Sequence, residues 1–380
     1  MTIMIKLFII ILNIIYLPLK LFKTKNKITF ISRQSNSINV DFKLLIDDLN
    51  ERYSNYEIVV LTKKIESGII NKIKYVFHIF RQMYHIATSK VVILDTYCIP
   101  ISILKHKKNL KVIQMWHALG AFKKFGLSIK DKKEGSSSKL IDIMKMHQNY
   151  DYIFSSSEYC SNYFAEAFGY NKEKVLPYPL PRLDLLNDKK YIKNKKEEIY
   201  SIYPELKDKK NIIYAPTFRI ENNGMDRKKS KSTKYLKKLI DEVDFNKYNL
   251  IIKFHPLSNI DIEDDRVIID KNFSTTNMFL IGDYIITDYS AVVYEASFLN
   301  KPLFFYSYDL EEYTKNRDFY LDLKKDLPGI ISKDSKNIIE AIEKEKYDLK
   351  VVKDFSKKNI KKTKKSYTKD INDFIVSIID

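Results

Sequence analysis

The 380 residues are 45% hydrophobic and 30% charged, a globular composition that excludes wholesale disorder and a polytopic membrane protein; at roughly 150 residues per domain the length fits two domains. The 66 basic residues exceed the 48 acidic ones by 18, which favours an anionic partner: a membrane surface, nucleic acid or a phosphorylated substrate. All but eight of the basic residues are lysine, so codon bias accounts for much of the excess, and scarce arginines and the eight glycines carry more information. No glycines stand at G-x-G-x-x-G or G-x-x-x-x-G-K-[ST] spacing, which excludes a glycine-loop nucleotide site of either type. Cys98 and Cys160 alone build neither a disulfide framework nor a metal site.

In chain order, the first feature is Leu7–Leu19, apolar apart from Asn13. It is too short to span a bilayer, which takes about 20 residues. Lys20, Lys23, Lys25 and Lys27 follow, with no acid before Asp41. This predicts a monotopic membrane-anchoring segment over 1–25 lying beside an anionic leaflet; a helix buried ahead of the first strand is the alternative. Strands are predicted at Lys27–Ser32, Glu57–Leu61, Val91–Asp95, Lys111–Met115, Tyr152–Ser155 and Lys174–Leu176, with helices over Asp41–Arg52, Ile69–Ala87 and Glu158–Phe168. The alternation is that of a parallel α/β sheet. Pro177, Pro179 and Pro181 then break the pattern, and lysine-rich Lys189–Glu198 reads as a linker. A second set follows: Asn211–Ala215, Leu250–Phe254, Val267–Ile269, Tyr284–Thr287 and Pro302–Tyr306, closed by helices over Ile338–Glu345 and Phe355–Ile378. Two α/β halves imply a cleft with ligands beyond the carboxyl ends of strands.

Three strand ends carry chemistry. Trp116-His117-Ala118-Leu119-Gly120-Ala121-Phe122-Lys123-Lys124-Phe125-Gly126 holds the only Trp, one of six His and two of eight Gly. His117 suits a general base, Gly120 and Gly126 permit close backbone approach or positive φ, and Lys123 and Lys124 can meet phosphate. Lys253-Phe254-His255-Pro256 places a cation and an imidazole on one side of a strand. Asp288-Tyr289-Ser290 leads into a helix that Ser290 would cap, with Glu295 on that helix as a candidate ribose ligand. Arg182, Arg219 and Arg317 stand in turns where a guanidinium fork could bind phosphate, against the plainer reading of ordinary ion pairing. The lysine runs Arg227–Lys238 and Lys357–Lys365 read as solvated surface.

Taken together, these segments resemble the CDP-glycerol glycerophosphotransferase family of teichoic acid and capsule synthesis, from about Lys27 to Leu323. The motifs are Trp116-His117 with Gly120, Lys123 and Gly126; Pro181-Arg182-Leu183-Asp184; Tyr214-Ala215-Pro216-Thr217-Phe218-Arg219; Lys253-Phe254-His255-Pro256; Thr287-Asp288-Tyr289-Ser290; and Lys301-Pro302-Leu303 through to Arg317-Asp318-Phe319-Tyr320. The resemblance implies a GT-B fold: an acceptor domain over 26–185 and a CDP-donor domain over 200–350, both Rossmann-like, with a C-terminal helix over 351–380 packing back across them. It also implies a peripheral protein on the cytoplasmic face of the cell membrane. Glycerol phosphate or ribitol phosphate would pass from CDP-glycerol or CDP-ribitol to a hydroxyl of an undecaprenyl-linked saccharide or growing polymer, with CMP leaving. His117 and His255 fall at the catalytic positions. Arg219, Lys253, Asp288, Ser290, Glu295 and Arg317 fall on the donor side, and Gly120, Lys123 and Arg182 on the acceptor or phosphate side. Trp116-His117-Ala118-Leu119-Gly120 departs from the Trp-His-Gly-Thr-Pro of many glycerol-phosphate enzymes, which bears on the choice of polyol or acceptor.

No metal ligand set is evident, so no cofactor is expected to be required, with room left for a loosely held Mg²⁺. The rival readings are a GT-B glycosyltransferase using a nucleotide-sugar, and a nucleic-acid-binding protein. The second would need aromatics interleaved with the basic runs, and those runs carry few.

Overall fold

The computed structural model describes residues 2–219, 230–255, 258, 260, 262–316 and 318–379. Arg317 and Pro256 lie outside these residues. The chain forms two compact units. Unit 1 comprises Met1–Leu119, Lys124–Asp184 and Lys361–Asp380, and unit 2 comprises Gly120–Lys123 and Leu185–Ile360.

In unit 1, β1 (Lys27–Ser32), β2 (Glu57–Thr62), β3 (Val91–Leu94), β4 (Lys111–Gln114), β5 (Tyr152–Ser155) and β6 (Val175–Pro177) form a parallel sheet in the order β2-β1-β3-β4-β5-β6. The register runs from Ile28 opposite both Ile58 and Val91. Every residue of β1 and β3 is buried, as expected for a sheet covered on both faces. The chain reverses its direction of travel across the sheet between β1 and β3, and open parallel sheets bind ligands beyond the carboxyl ends of the strands at such a reversal.

In unit 2, β7 (Lys210–Tyr214), β8 (Tyr248–Ile252), β9 (Val267–Ile269), β10 (Tyr284–Thr287), β11 (Leu303–Tyr306) and β12 (Ile330–Ser332) pair in parallel in the order β12-β11-β10-β7-β8-β9. Its reversal falls between β7 and β10. Ile212, Tyr214, Leu250, Ile252, Ile286 and Phe304 from four neighbouring strands join Leu236, Leu239 and Ile240 of the helix Lys231–Asp241 and Ile338 and Ile342 of Ser335–Glu343 in one core. The strand β12 was not foreseen.

Two expectations fail. Lys189–Glu198 is not a linker but most of the helix Lys189–Ile202. Asp188 caps it by accepting from the backbone N–H groups of Lys190 and Tyr191 at 2.8 and 3.2 Å, and Lys and Glu are good helix formers. The closing helix is two: Leu349–Asn359 and Tyr367–Ser377. Ile360 is buried, the Lys361 N–H donates to Ser156 O at 2.7 Å, and Ser366 caps the second helix. That second helix packs on Val40–Arg52, where Asn372 donates to Leu45 O and Asp48.

The apolar N-terminal run is the helix Thr2–Leu19. Leu12 and Tyr16 are buried and Asn13 donates to Ile103 O at 3.2 Å, so one stripe faces unit 1. Ile3, Leu7, Ile10, Ile14 and Leu17 are exposed. Among the described residues no helix is long and apolar enough to cross a membrane.

Candidate functional site

At the carboxyl edge of the unit 1 sheet, β4 ends at Gln114 and the chain turns at Trp116, whose φ of 61° lies in the left-handed region. The Trp116 indole is stacked on Phe125 at 5.0 Å and edges onto Phe168 at 5.3 Å, which anchors the turn against the helix Glu158–Phe168. Gly126 adds to this closeness. Its φ is 59°, and a Cβ there would come within 2.2 Å of Ala167 O.

His117 is half-buried, and its Nδ1 lies 3.0 Å from Asp95 O. A backbone carbonyl only accepts, so Nδ1 carries the proton and the neutral ring leaves the Nε2 lone pair for another partner. Burial pushes the His117 pKa down to about 4; the Asp95 carbonyl bond opposes this and the Arg182 charge adds to it. The imidazole is therefore in its basic form at neutral pH. Asp95 is itself buried, and accepts from Ser32 Oγ and Asn39 Nδ2, each at 2.8 Å. Burial raises its carboxyl pKa to about 6.

Arg182 backs the same turn. Its Nε donates to both Asp41 oxygens at 3.2 and 3.0 Å, Nη2 also bonds Asp41, and Nη2 donates to His117 O at 3.1 Å. The Asp41 side chain is 3% exposed. The fork thus faces a carboxylate and fixes the backbone of His117.

In unit 2 the reversal point is bridged by one carboxylate. Asp288, after β10, accepts from Thr217 N and Thr217 Oγ1, after β7, at 3.0 and 2.6 Å. Arg219 Nη2 is 2.8 Å from Asp288, and its Nε and Nη2 bond Asp309 at 2.7 and 3.0 Å. Its guanidinium lies 5.0–5.5 Å from the rings of Tyr289, Tyr308 and Tyr313. Burial opposes its charge, yet Asp288 and Asp309 hold it protonated far above the ordinary range.

The segment Gly120–Lys123 packs here, in unit 2, although its motif began in unit 1. Lys123 pairs with Phe319 as an antiparallel bridge, and Tyr320 N donates to Phe122 O at 3.1 Å. Gly120 sits against Tyr294, where a Cβ would come within 2.4 Å of the ring. Lys123 Nζ donates to Tyr313 OH and lies 3.4 Å from Thr217 Oγ1. Its charge also reaches His255: desolvation first and Lys123 second pull that imidazole below its usual pKa. His255 is exposed, with its ring 5.8 Å from Phe218.

Two placements differ from expectation. β8 ends at Ile252, so Lys253 and His255 do not share a strand face. Lys253 turns inward instead and is 7% exposed, with its ammonium on Asp270 O at 3.0 Å, Asp270 Oδ2 at 2.6 Å and Phe273 O. An ammonium has three donors, and all three are taken by the protein. Ser290 does not cap a helix: Val293–Phe298 starts three residues later with no side-chain cap, and Ser290 Oγ is a distant 3.5 Å from Val292 N. Glu295 is buried on that helix, beside the Tyr294 that Gly120 contacts.

The structure therefore assembles His117, Asp95, Asp41 and Arg182 at one edge, and Lys123, Thr217, Arg219, His255 and Asp288 at another. Asp95 and Asp41 carry no sequence signal of their own, since isolated aspartates are common and only the register of neighbouring strands brings them to these partners; Asp309 stands in the family motif Tyr308-Asp309-Leu310-Glu311-Glu312-Tyr313, but its pairing with Arg219 is visible only in the structure. Among the described residues no group of three or more His, Cys, Asp or Glu side chains is arranged to hold a metal ion.

Two parallel six-stranded sheets with polar groups gathered at their carboxyl edges define a two-unit α/β class of protein, and the sequence places the chain further. The chain matches the CDP-glycerol:poly(glycerophosphate) glycerophosphotransferase family over residues 14–377 and belongs to that family. It is 34% identical over 359 residues to the teichoic acid ribitol-phosphate primase of Bacillus spizizenii, covering 93% of this chain and 92% of that one. It is 29% identical over 374 residues to the teichoic acid glycerol-phosphate primase of Bacillus subtilis, covering 94% and 93%. The poly(ribitol-phosphate) polymerase of Bacillus spizizenii is 35% identical, but the chain spans only 54% of its length. In fold it is similar to the wall teichoic acid polymerase TagF, with a TM-score of 0.74 at 22% identity over 94% of this chain and 90% of that one.

Proposed function

We propose that the protein transfers polyol phosphate from a CDP-polyol to a hydroxyl of a lipid-linked saccharide or growing polymer in teichoic acid synthesis, releasing CMP. The observation that carries this reading is His117: a neutral imidazole at a sheet edge, with Nδ1–H fixed on Asp95 O and Nε2 left as a base, inside a motif of this family. Unit 1 takes the acceptor and unit 2 the donor.

In the reaction, His117 Nε2 takes the proton of the acceptor hydroxyl as its oxygen attacks the β-phosphorus. The bond from that phosphorus to the CMP oxygen breaks, and its electron pair leaves with CMP. General base catalysis of this kind contributes roughly 10²–10⁴-fold. Lys123 and His255 meet the pyrophosphate and stabilise the charge that develops on it, the kind of electrostatic contribution that is often largest. Arg219 and Asp288 hold the Thr217 turn in place beneath them, Glu295 is the candidate ribose ligand, and Lys253 anchors the turn that presents His255. A bound anionic donor raises the basicity of a nearby imidazole, which offsets the low pKa of the unliganded His117.

The exposed apolar face of Thr2–Leu19 together with the following lysines supports docking at the cytoplasmic face of the membrane, where a lipid-linked acceptor resides. The identity to a ribitol-phosphate primase, 34% against 29% for a glycerol-phosphate primase at similar coverage, favours ribitol as the polyol. The test incubates the protein with CDP-ribitol and CDP-glycerol separately, each with a lipid-linked saccharide acceptor, and measures CMP. CMP release that requires acceptor and disappears in His117→Gln supports the reading. Release of UDP from a nucleotide-sugar, with no CMP from either donor, overturns it.

A further inference from the structure

The reversal point of the unit 1 sheet carries a cation that the scheme above leaves unused. Arg33 directly follows β1, and its backbone N–H donates across the reversal to Thr96 Oγ1, just beyond β3, at 3.2 Å. The guanidinium lies 5.2 Å from the centre of the Tyr97 ring. Arg52, Arg182, Arg219 and Arg266 are each ion-paired with an aspartate. Arg33 has no such pair among the described residues, and its Nε is buried without an acceptor.

A second buried donor stands close by. Gln82, on the helix Ile69–Thr88, is 1% exposed, and its Nε2 has no acceptor. Its Oε1 lies 3.9 Å from Cys98 Sγ. Both donors are turned towards the oxygen of Tyr75, on the same helix, without reaching good hydrogen-bond geometry, and the Arg33 charge also reaches Tyr97, Cys98 and His147. Buried donors without acceptors cost stability, and an unpaired guanidinium beside one is matched in charge and geometry to phosphate oxygens. The location is also linked to the base. Thr96, which holds Arg33, is bonded in sequence to Asp95, whose carbonyl holds His117.

We propose that Arg33, assisted by Gln82, binds a phosphate oxygen of the acceptor, so that unit 1 recognises the acceptor as an anion and not only as a hydroxyl. This rests on the reading of unit 1 as the acceptor side. Arg33 is a specificity residue: it sets which acceptors reach His117, and the proton transfer remains with His117.

The test separates acceptor recognition from catalysis. Binding of a short-chain polyprenyl-pyrophosphate disaccharide, and of the same disaccharide on a neutral short-chain ether, is measured by calorimetry on the wild-type chain and on Arg33→Gln, Arg33→Lys and Gln82→Leu. The expected result is a preference of tenfold or more for the pyrophosphate ligand in the wild type, erased in Arg33→Gln and reduced in Arg33→Lys and Gln82→Leu. An equal affinity of the wild type for the two ligands overturns the proposal, as does a preference that survives in Arg33→Gln. Should Arg33→Gln fail to fold, by its melting temperature, Gln82→Leu decides in the same two directions. In turnover, the acceptor KM of Arg33→Gln should rise at least tenfold while the donor KM stays within twofold. Failure of the wild type to release CMP from any CDP-polyol sinks the phosphotransferase reading but leaves the binding comparison to decide on Arg33.

Discussion

Replacing Arg182 by Ala tests whether this arginine supports the His117 turn or binds substrate. The substitution removes three side-chain bonds to Asp41 and the bond to His117 O. It leaves a carboxylate that is 3% exposed with only the Arg182 backbone N–H at 2.9 Å. Breaking a buried pair by removing one partner costs about 3–5 kcal/mol. The Arg182 side chain is 24% exposed, and solvent screening of that end lowers the expectation to about 2–4 kcal/mol. Urea unfolding should show this loss, and Asp41→Ala combined with Arg182→Ala should recover part of it, because no carboxylate is then stranded. Steady-state kinetics should show a fall in kcat, since the base loses a backbone anchor, with the acceptor KM changed less than threefold. A loss below about 1 kcal/mol, coupled with a tenfold rise in acceptor KM, would refute this reasoning and return Arg182 to the role of a phosphate ligand.

Three further outcomes follow from the same geometry. Lys253→Met strands the Asp270 carboxylate and should cost about 3–5 kcal/mol by denaturant unfolding; unchanged stability with a raised donor KM would instead make Lys253 a donor ligand. Gly120→Ala drives a methyl into the Tyr294 ring, which is buried and stacked on Phe355; overpacking of about 1–3 kcal/mol should appear in unfolding, with the donor KM raised through the adjacent Glu295. The pH dependence of stability has a fixed sign. Burial puts His78, His117 and His147 at about 4 in the folded chain. As pH falls from 6.5 towards 4 the unfolded chain takes up protons that the folded chain refuses, and each histidine removes about 1.4 kcal/mol per unit. Asp95, raised to about 6, works the other way below that pH and cancels one of the three. The urea midpoint should therefore drop steadily below pH 6.5, and a constant midpoint down to pH 4.5 would contradict these environments.

Much of the scaffold was legible because fully buried parallel strands leave short β-branched runs that turn signals bound. Lys27–Ser32, Tyr152–Ser155, Val267–Ile269 and Tyr284–Thr287 coincide with the observed strands. Charge obscured Lys189–Ile202, where lysine density resembles a solvated tether although Ile199 is buried. The site divides in the same manner. His117, His255 and Arg219 were visible because rare residue types cluster after strands. What those groups touch was not, because Asp95, Asp41, Asp309 and Asp270 reach them through strand order and register. Lys253 shows the limit clearly: alternation puts it on the face of His255, but the strand stops at Ile252 and the ammonium turns to Asp270.

The interrupted make-up of unit 1 imposes an order on biogenesis. Residues 185–360 are an insertion between its parts. The Asp184 carboxylate accepts from Ser366 Oγ at 2.7 Å, Tyr367 N at 2.9 Å and Thr368 N at 2.8 Å, partners as much as 184 positions later in the chain. At about 5–20 residues per second the ribosome delivers those partners roughly 10–40 s after Asp184. Closing so long an unstructured loop costs about 4–5 kcal/mol of chain entropy, and prior folding of the insertion shortens the effective loop. Unit 2 can thus complete before unit 1, whose clasp at Asp184 closes only once residues 366–368 have emerged.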